Sequence, residues 1–312
     1  MNQTTTTPAS SVQSEDRIAS DDYSKINPTT FNGSRFEERI ADHDPSLYSP
    51  DTEAFSVETL HDIGSAEIGF FHEHGYLSVR RAFSENEVSD AMNGLVSLIM
   101  GERPDFPHIL FEAAAKDTLE TMNADQRMDS VRKLDRFVDF EPRLKALSHH
   151  ELLRSIISSL MGGHPPSMIQ DMALIKPPAM GREKPWHQDH AFFNYPMGTP
   201  IVGVWIALDE ATVANGCMQL LPGLHKDPII HFKRRDWQIC DTFVLGRGSV
   251  AAPLKPGGLL FFDGLLPHGT PHNRSGLRRR ALQYHYIPEG VNKTPVEERL
   301  SVFGSEGKDV SC

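Results

Sequence analysis

A mainly β domain with helices ahead of its strands is the architecture that this 312-residue chain predicts. Two observations carry it. After Pro166, short apolar or alternating runs appear between Gly and Pro turns: Ser167–Lys176, Ile201–Leu208, Met218–Leu221, Gly258–Phe262 and Arg279–Ile287. Several short strands punctuated in this way mark a sandwich or barrel rather than a parallel α/β sheet. Before Pro166, apolar residues recur instead at helical spacing, so the helices buttress the strands from one side.

In chain order, residues 1–55 read as a poorly ordered leader. They hold the Thr4–Thr7 run, many Ser and Asp, scattered Pro and no sustained apolar period. Ser84-Glu-Asn-Glu87 forms a capping box, in which a Ser hydroxyl and a Glu three residues on satisfy exposed helix-start amides reciprocally. Val88, Met92, Leu95 and Ile99 then give that helix one apolar face. Ser148-x-x-Glu151 repeats the signal for a helix carrying Leu152, Leu153, Ile156, Ile157 and Leu160, which stops at Gly162-Gly163. Residues 56–300 are expected to form one domain and 301–312 a flexible tail. Residues 223–256 form a long insertion between core strands, where a lid is expected.

Composition narrows the function. A net charge of −11 argues against a nucleic-acid or anionic-membrane surface, both of which need clustered Lys and Arg. Three cysteines, Cys217, Cys240 and Cys312, occur in no paired spacing, which excludes a disulfide framework and a cysteine zinc cage. The first 30 residues hold no apolar h-region, and no run of about 18 apolar residues occurs, so a cytoplasmic location is expected. The Asn-x-Ser/Thr triplets at Asn2, Asn32 and Asn273 then carry no weight.

The motif with chemistry in it is Pro185-Trp-His-Gln-Asp189. Side chains alternate along a strand, so His187 and Asp189 share a face and Gln188 takes the other. Two such ligands with a third from another strand make a 2-His-1-carboxylate facial triad, which leaves three positions of an octahedral iron open. His268, just after the run Gly258–Phe262, is the natural third ligand. A His-x-Asp triplet arises about once by chance in a chain of this composition, and His225-Lys-Asp227 is a second copy. That copy is bracketed by Pro and Gly and reads as a turn. Arg278, Arg279 and Arg280 stand together, and alternation places Arg279 on the face opposite the other two.

Context adds to the spacing. Trp186-His-Gln-Asp-His190, the block Asn215–Lys226, Pro256-Gly-Gly258, Asp263, His268-Gly-Thr270 and Asn273-x-Ser-x-x-x-Arg279-Arg-Ala-Leu282 resemble the phytanoyl-CoA dioxygenase family over about residues 65–290. The resemblance implies a double-stranded β-helix (jelly-roll, cupin-like) core with flanking N-terminal helices. It implies Fe(II) held by His187, Asp189 and His268, with 2-oxoglutarate and O₂ as co-substrates. It places Arg279 and Thr270 on the far carboxylate of 2-oxoglutarate, and Lys133, Met172, Gln188 and Trp205 around that molecule. A planar guanidinium suits the task because it donates two parallel hydrogen bonds to a carboxylate. The related iron halogenases lack the carboxylate ligand, so Asp189 favours hydroxylation or another oxidation over halogenation. Succinate and CO₂ are the expected co-products.

Phe192, Phe193 and Tyr195 form a candidate aromatic wall for a small-molecule substrate, and Lys233-Arg234-Arg235 on the insertion a candidate anchor for a substrate acid or phosphate. Two other classes use the same residues: a zinc-dependent hydrolase and a catalytically silent jelly-roll binding module. Neither gives Arg279 a task. Hydroxylation against desaturation or ring closure, the identity of the substrate, and monomer against homodimer are left open by the sequence.

Overall fold

A computed structural model describes residues 43–307 and the backbone of Arg35–Phe36. The rest of the expected leader up to residue 42, and positions 308–312 of the expected tail, lie outside the described residues.

The strands in chain order are β1 (Arg35–Phe36), β2 (Thr52–Glu53), β3 (Ser56–Thr59), β4 (Tyr76–Arg81), β5 (Ile109–Phe111), β6 (Val131–Asp135), β7 (Pro166–Lys176) and β8 (Lys184–His187). They continue as β9 (Val202–Ala207), β10 (Met218–Leu220), β11 (His231–Lys233), β12 (Trp237–Ile239), β13 (Val250–Ala252), β14 (Leu259–Asp263), β15 (His268–Thr270) and β16 (Arg279–Pro288). Seven α-helices occur among the described residues: α1 (Ser65–His74), α2 (Glu85–Met100), α3 (Ala124–Asp129), α4 (Pro142–Ser148), α5 (Glu151–Leu160), α6 (Asp241–Val244) and α7 (Val296–Phe303).

The protein is mostly sheet. A nine-stranded open sheet runs β1-β5-β6-β7-β16-β9-β14-β4-β3, and a five-stranded one runs β2-β13-β10-β15-β8. The hairpin β11-β12 stands apart on the insertion. Alternation along the central strands splits the core in two. Val204, Ile206, Phe261, Leu282, Tyr284 and Tyr286 turn toward the helices and pack with Leu95, Ile99, Leu144 and Ile157. Trp205, Ala207, Leu260, Phe262 and Ala281 turn the other way and meet Met218, Leu220, Ala251 and Ala252 of the smaller sheet. The large sheet is therefore apolar on both faces, which is why its strands read as near-continuous apolar runs.

Local chemistry fixes the element ends. At α2 the expected capping box is present: Ser84 Oγ accepts from the Glu87 amide at 3.4 Å, and Glu87 Oε2 accepts from the Ser84 amide at 2.8 Å. The second expected box is corrected. Ser148 ends α4, and the residue capping α5 is His150, whose Nδ1 accepts from the Leu153 amide at 3.4 Å. The helix stops at Leu160, before the positive-φ pair Gly162 and Gly163. Within the stretch assigned to the leader, Leu47 and Tyr48 are buried and β2 pairs with β13, so chain order extends at least to residue 43. Two isolated apolar residues gave no period to read. Phe303, assigned to the tail, is fully buried at the end of α7.

Candidate metal centre

The smaller sheet brings the two histidines together. β8 and β15 run antiparallel with His187 directly opposite His268, and the two rings lie 4.3 Å apart, centroid to centroid. The strand ends at His187; Gln188 keeps extended dihedrals, and Asp189 opens a 3-10 turn, Asp189–Phe192. One extended residue between them suffices to keep the expected alternation, so Asp189 faces the same space as His187. His187 Nε2 lies 3.2 Å from Asp189 Oδ1, and His268 Nε2 lies 3.7 Å from Asp189 Oδ2. All three residues are buried, and among the described residues theirs is the group of acidic, His and Cys side chains whose donor atoms converge as a metal site requires.

Hydrogen bonding sets the tautomers. His187 Nδ1 lies 2.7 Å from the Pro185 carbonyl and His268 Nδ1 lies 2.9 Å from the Leu266 carbonyl. A carbonyl only accepts, so each Nδ1 carries the proton and each Nε2 presents its lone pair to the centre. Burial, then the neighbouring His187, pushes His268 down to about 3, which keeps the imidazole neutral. Burial would raise Asp189, but the neighbouring His268 and His285, with the close side-chain contacts to His187 and His285, outweigh it and hold the carboxyl well below its ordinary value. The set is thus two imidazole Nε2 atoms and one carboxylate turned toward one point.

Beside this group a cavity of about 240 Å³ opens between the sheets. Its inner end is cationic. Arg279, fully buried, donates from Nη1 to the Leu174 carbonyl at 3.1 Å, stands 5.5 Å over the Trp205 ring, and leaves Nε without a partner. Its flanking arginines are both committed to acids: Arg278 to Asp129 at 2.6 Å and Asp125 at 3.1 Å, Arg280 to Asp209 at 2.7 Å. Opposite Arg279 in the β7–β16 ladder stands Lys176, buried, whose ammonium donates to the carbonyls of Arg182 and, at 2.6 Å, Pro271. Burial and Arg279 hold Lys176 well below its ordinary value, and burial and Arg132 push Arg279 down to about 9. A buried guanidinium with no carboxylate partner makes a site for an anion. Thr270, Met172 and Lys133 line the same cavity.

A sequence profile of the phytanoyl-CoA dioxygenase (PhyH) family matches residues 71–281. The chain belongs to this family. It is a 2-oxoglutarate-dependent non-haem iron dioxygenase. A phytanoyl-CoA dioxygenase of Arabidopsis thaliana is 27% identical over 251 residues, spanning 71% of this chain and 87% of that one. Among solved structures, the non-heme alpha-ketoglutarate-dependent carbocyclase SnoK from nogalamycin biosynthesis superposes with a TM-score of 0.60 at 20% identity, over 79% of this chain and 90% of that one. EctD from S. alaskensis, solved with 2-oxoglutarate and 5-hydroxyectoine, gives 0.59 at 21% identity, over 82% and 85%. These likenesses show a shared fold.

The remaining expected residues of this dioxygenase divide. Lys133 is on strand β6, opposite Leu174. Phe192 and Phe193 line the outer part of the cavity. Gln188 does not reach it. Its side-chain amide donates to the carbonyls of Asp227 and Leu265, and its Oε1 accepts from the Ile229 amide, so it ties the insertion to the core on the far side. Trp205 lies under the Arg279 guanidinium rather than in the cavity wall, and Tyr195 is packed with Ile201 and Ile287 outside it. Arg234 points away, half-exposed and 3.7 Å from Asp241. The insertion instead delivers Asp236, paired with Lys184 at 2.5 Å, and Lys184 stands 4.6 Å over the Phe192 ring. Arg235 locks that hairpin through Glu183 at 2.8 Å and Asp241 at 2.9 Å. Among the described residues, no helix is long and apolar enough to cross a membrane.

Sequence reasoning missed Lys176, Gln283 and His285. Once Arg279 is taken as inward, strand alternation makes Gln283 and His285 inward too.

Proposed function

We propose that this dioxygenase oxidises an unactivated C–H bond of a small organic substrate, releasing succinate and CO₂, on a jelly-roll core that residues 56–300 build as one domain. The observation that carries the reading is one cavity holding three convergent metal donors at one end and a buried guanidinium without an acid partner at the other. Two neutral imidazoles and one carboxylate on one side of a cavity fit an octahedral ferrous ion with three open positions.

His187, Asp189 and His268 would hold the iron, which supplies the O₂ chemistry when bound. Arg279 binds the far carboxylate of 2-oxoglutarate through its two-pronged fork, with the Thr270 hydroxyl as a second donor. Trp205 fixes the guanidinium plane from below. Lys133 and Met172 close the sides of that subsite. Phe192 and Phe193 form the apolar wall against which substrate lies, and the Lys184–Asp236 pair closes the mouth, excluding water from the reacting atoms.

The test is succinate formation from 2-oxoglutarate by protein loaded anaerobically with Fe(II), then exposed to oxygen. Slow succinate production that needs iron and oxygen, and is abolished in Asp189→Ala, is the expected result. Iron-loaded protein that fails to bind 2-oxoglutarate would overturn the reading.

A further inference from the structure

β16 carries two services on one face. Its inward side chains are Arg279, Ala281, Gln283 and His285, and its outward ones include Tyr284 and Tyr286, whose hydroxyls donate to the carbonyls of Leu144 and Ser148 at 2.8 Å each. Arg279 serves the anion end of the cavity. Six residues along, His285 reaches the metal end: its Nε2 lies 2.6 Å from Asp189 Oδ2, and Gln283 Nε2 lies 3.4 Å from the same oxygen.

The same His285 Nε2 lies 3.3 Å from Gln283 Nε2, and the ring's other nitrogen has no partner. As a metal ligand Asp189 is a carboxylate, which only accepts, so the 2.6 Å contact is a donation from Nε2. Nδ1 is then a buried acceptor without a donor, enclosed by the rings of Phe193 at 5.0 Å and Phe262 at 5.9 Å. A side chain there merely to fill the core would be apolar, since an orphaned buried acceptor destabilises the fold. Nor does the ring pass the bond onward, because its second nitrogen leads nowhere. Its shortest polar contact is the one to the carboxylate of the metal group.

That contact selects an oxygen. Oδ2 is retained by His285 and Gln283 and stands 3.7 Å from His268 Nε2, while Oδ1 lies closer to its histidine, 3.2 Å from His187 Nε2. A carboxylate so divided gives one oxygen to a metal; released, it could give both and occupy a further position. We propose that His285 is a positioning residue that keeps Asp189 a one-oxygen ligand and so leaves open the positions the co-substrate needs.

This rests on the iron reading above, and the experiment separates the two. Fe(II) affinity and 2-oxoglutarate affinity of the ferrous protein are measured anaerobically for wild type, His285→Phe and His285→Gln, with the metal-free melting temperature of each. His285→Phe is expected to weaken iron about 10- to 100-fold, the usual cost of losing a partner of a metal ligand, and to weaken 2-oxoglutarate as well. His285→Gln, which keeps an N–H donor, should recover most of both. The metal-free melting temperature of His285→Phe should equal or exceed that of wild type, because the orphaned nitrogen is gone. Wild-type affinities in His285→Phe, equal impairment in both variants, or metal-free melting temperatures that fall in step with the affinities would overturn the inference. Wild type that binds no iron would remove the reading beneath it instead.

Discussion

Replacing Arg279 by methionine should stabilise the empty protein while abolishing tight co-substrate binding. Of three consecutive arginines, Arg278 and Arg280 are neutralised by aspartates, whereas Arg279 is buried against a carbonyl and an indole. Burying an unpaired charge costs several kcal/mol even after relaxation. One hydrogen bond from a charged group returns only about 1.5–3 kcal/mol. The unliganded fold therefore bears a net cost, consistent with burial pushing Arg279 down to about 9. Methionine keeps an apolar stem and removes the charge. A gain of roughly 1 kcal/mol, or about 2–4 °C in melting temperature for a chain of this size, is expected without ligand.

With 2-oxoglutarate the sign reverses. Removing one partner of a buried charge pair costs about 3–5 kcal/mol because the other charge is left buried alone. At 1.4 kcal/mol per decade, affinity should fall by about 100-fold or more. Excess 2-oxoglutarate at about 100 times its dissociation constant should stabilise the ferrous wild type by about 2.7 kcal/mol and leave the variant unmoved. Anaerobic thermal scans with and without 2-oxoglutarate, together with titration of the ferrous protein, read both effects. A variant less stable than wild type when empty, or one that binds 2-oxoglutarate within about tenfold of wild type, would refute the reasoning.

Two other perturbations test the surroundings. Burial pushes Asp263 up to about 6, against the opposing pull of the Leu265 amide at 2.7 Å. A raised carboxyl means that the folded state holds a proton the unfolded chain has released, so stability falls as pH rises from about 4 to about 6. Asp263→Asn keeps the acceptor and removes the charge; it should gain up to about 3 kcal/mol at pH 7 and nothing near pH 4. Urea unfolding at the two pH values checks this, and an equal gain at both would count against it. Gly203 stands opposite His285 on β9, and a Cβ there would run into the Phe262 ring, which packs against His268 at 4.8 Å. Gly203→Ala should cost about 1–3 kcal/mol by overpacking and also weaken iron binding. A variant that loses stability with unchanged iron affinity would uncouple Phe262 from the metal group.

The parts of the site legible in the sequence were those set by spacing along one strand. His187 and Asp189 are two apart, and Arg279 differs from its neighbours by strand face; both follow from a period of two. Gln188 followed the same rule to the opposite face, where its amide is taken by two backbone groups of the insertion, Asp227 and Ile229, and by Leu265 of the core. What spacing could not supply was pairing between strands. That His268 stands across from His187, Lys176 across from Arg279 and Gly203 across from His285 is a matter of register, which no single strand encodes. The insertion shows the same limit in charge. Lys233-Arg-Arg235 looked like the functional cluster, yet Arg235 is spent on two acids, and the residue that reaches the cavity is the aspartate that follows. His285 lies between these cases. Its face was readable from Arg279, but nothing in the sequence tells a buried histidine serving a ligand from one filling a core. Only the 2.6 Å contact with Asp189 and the partnerless nitrogen behind it separate the two.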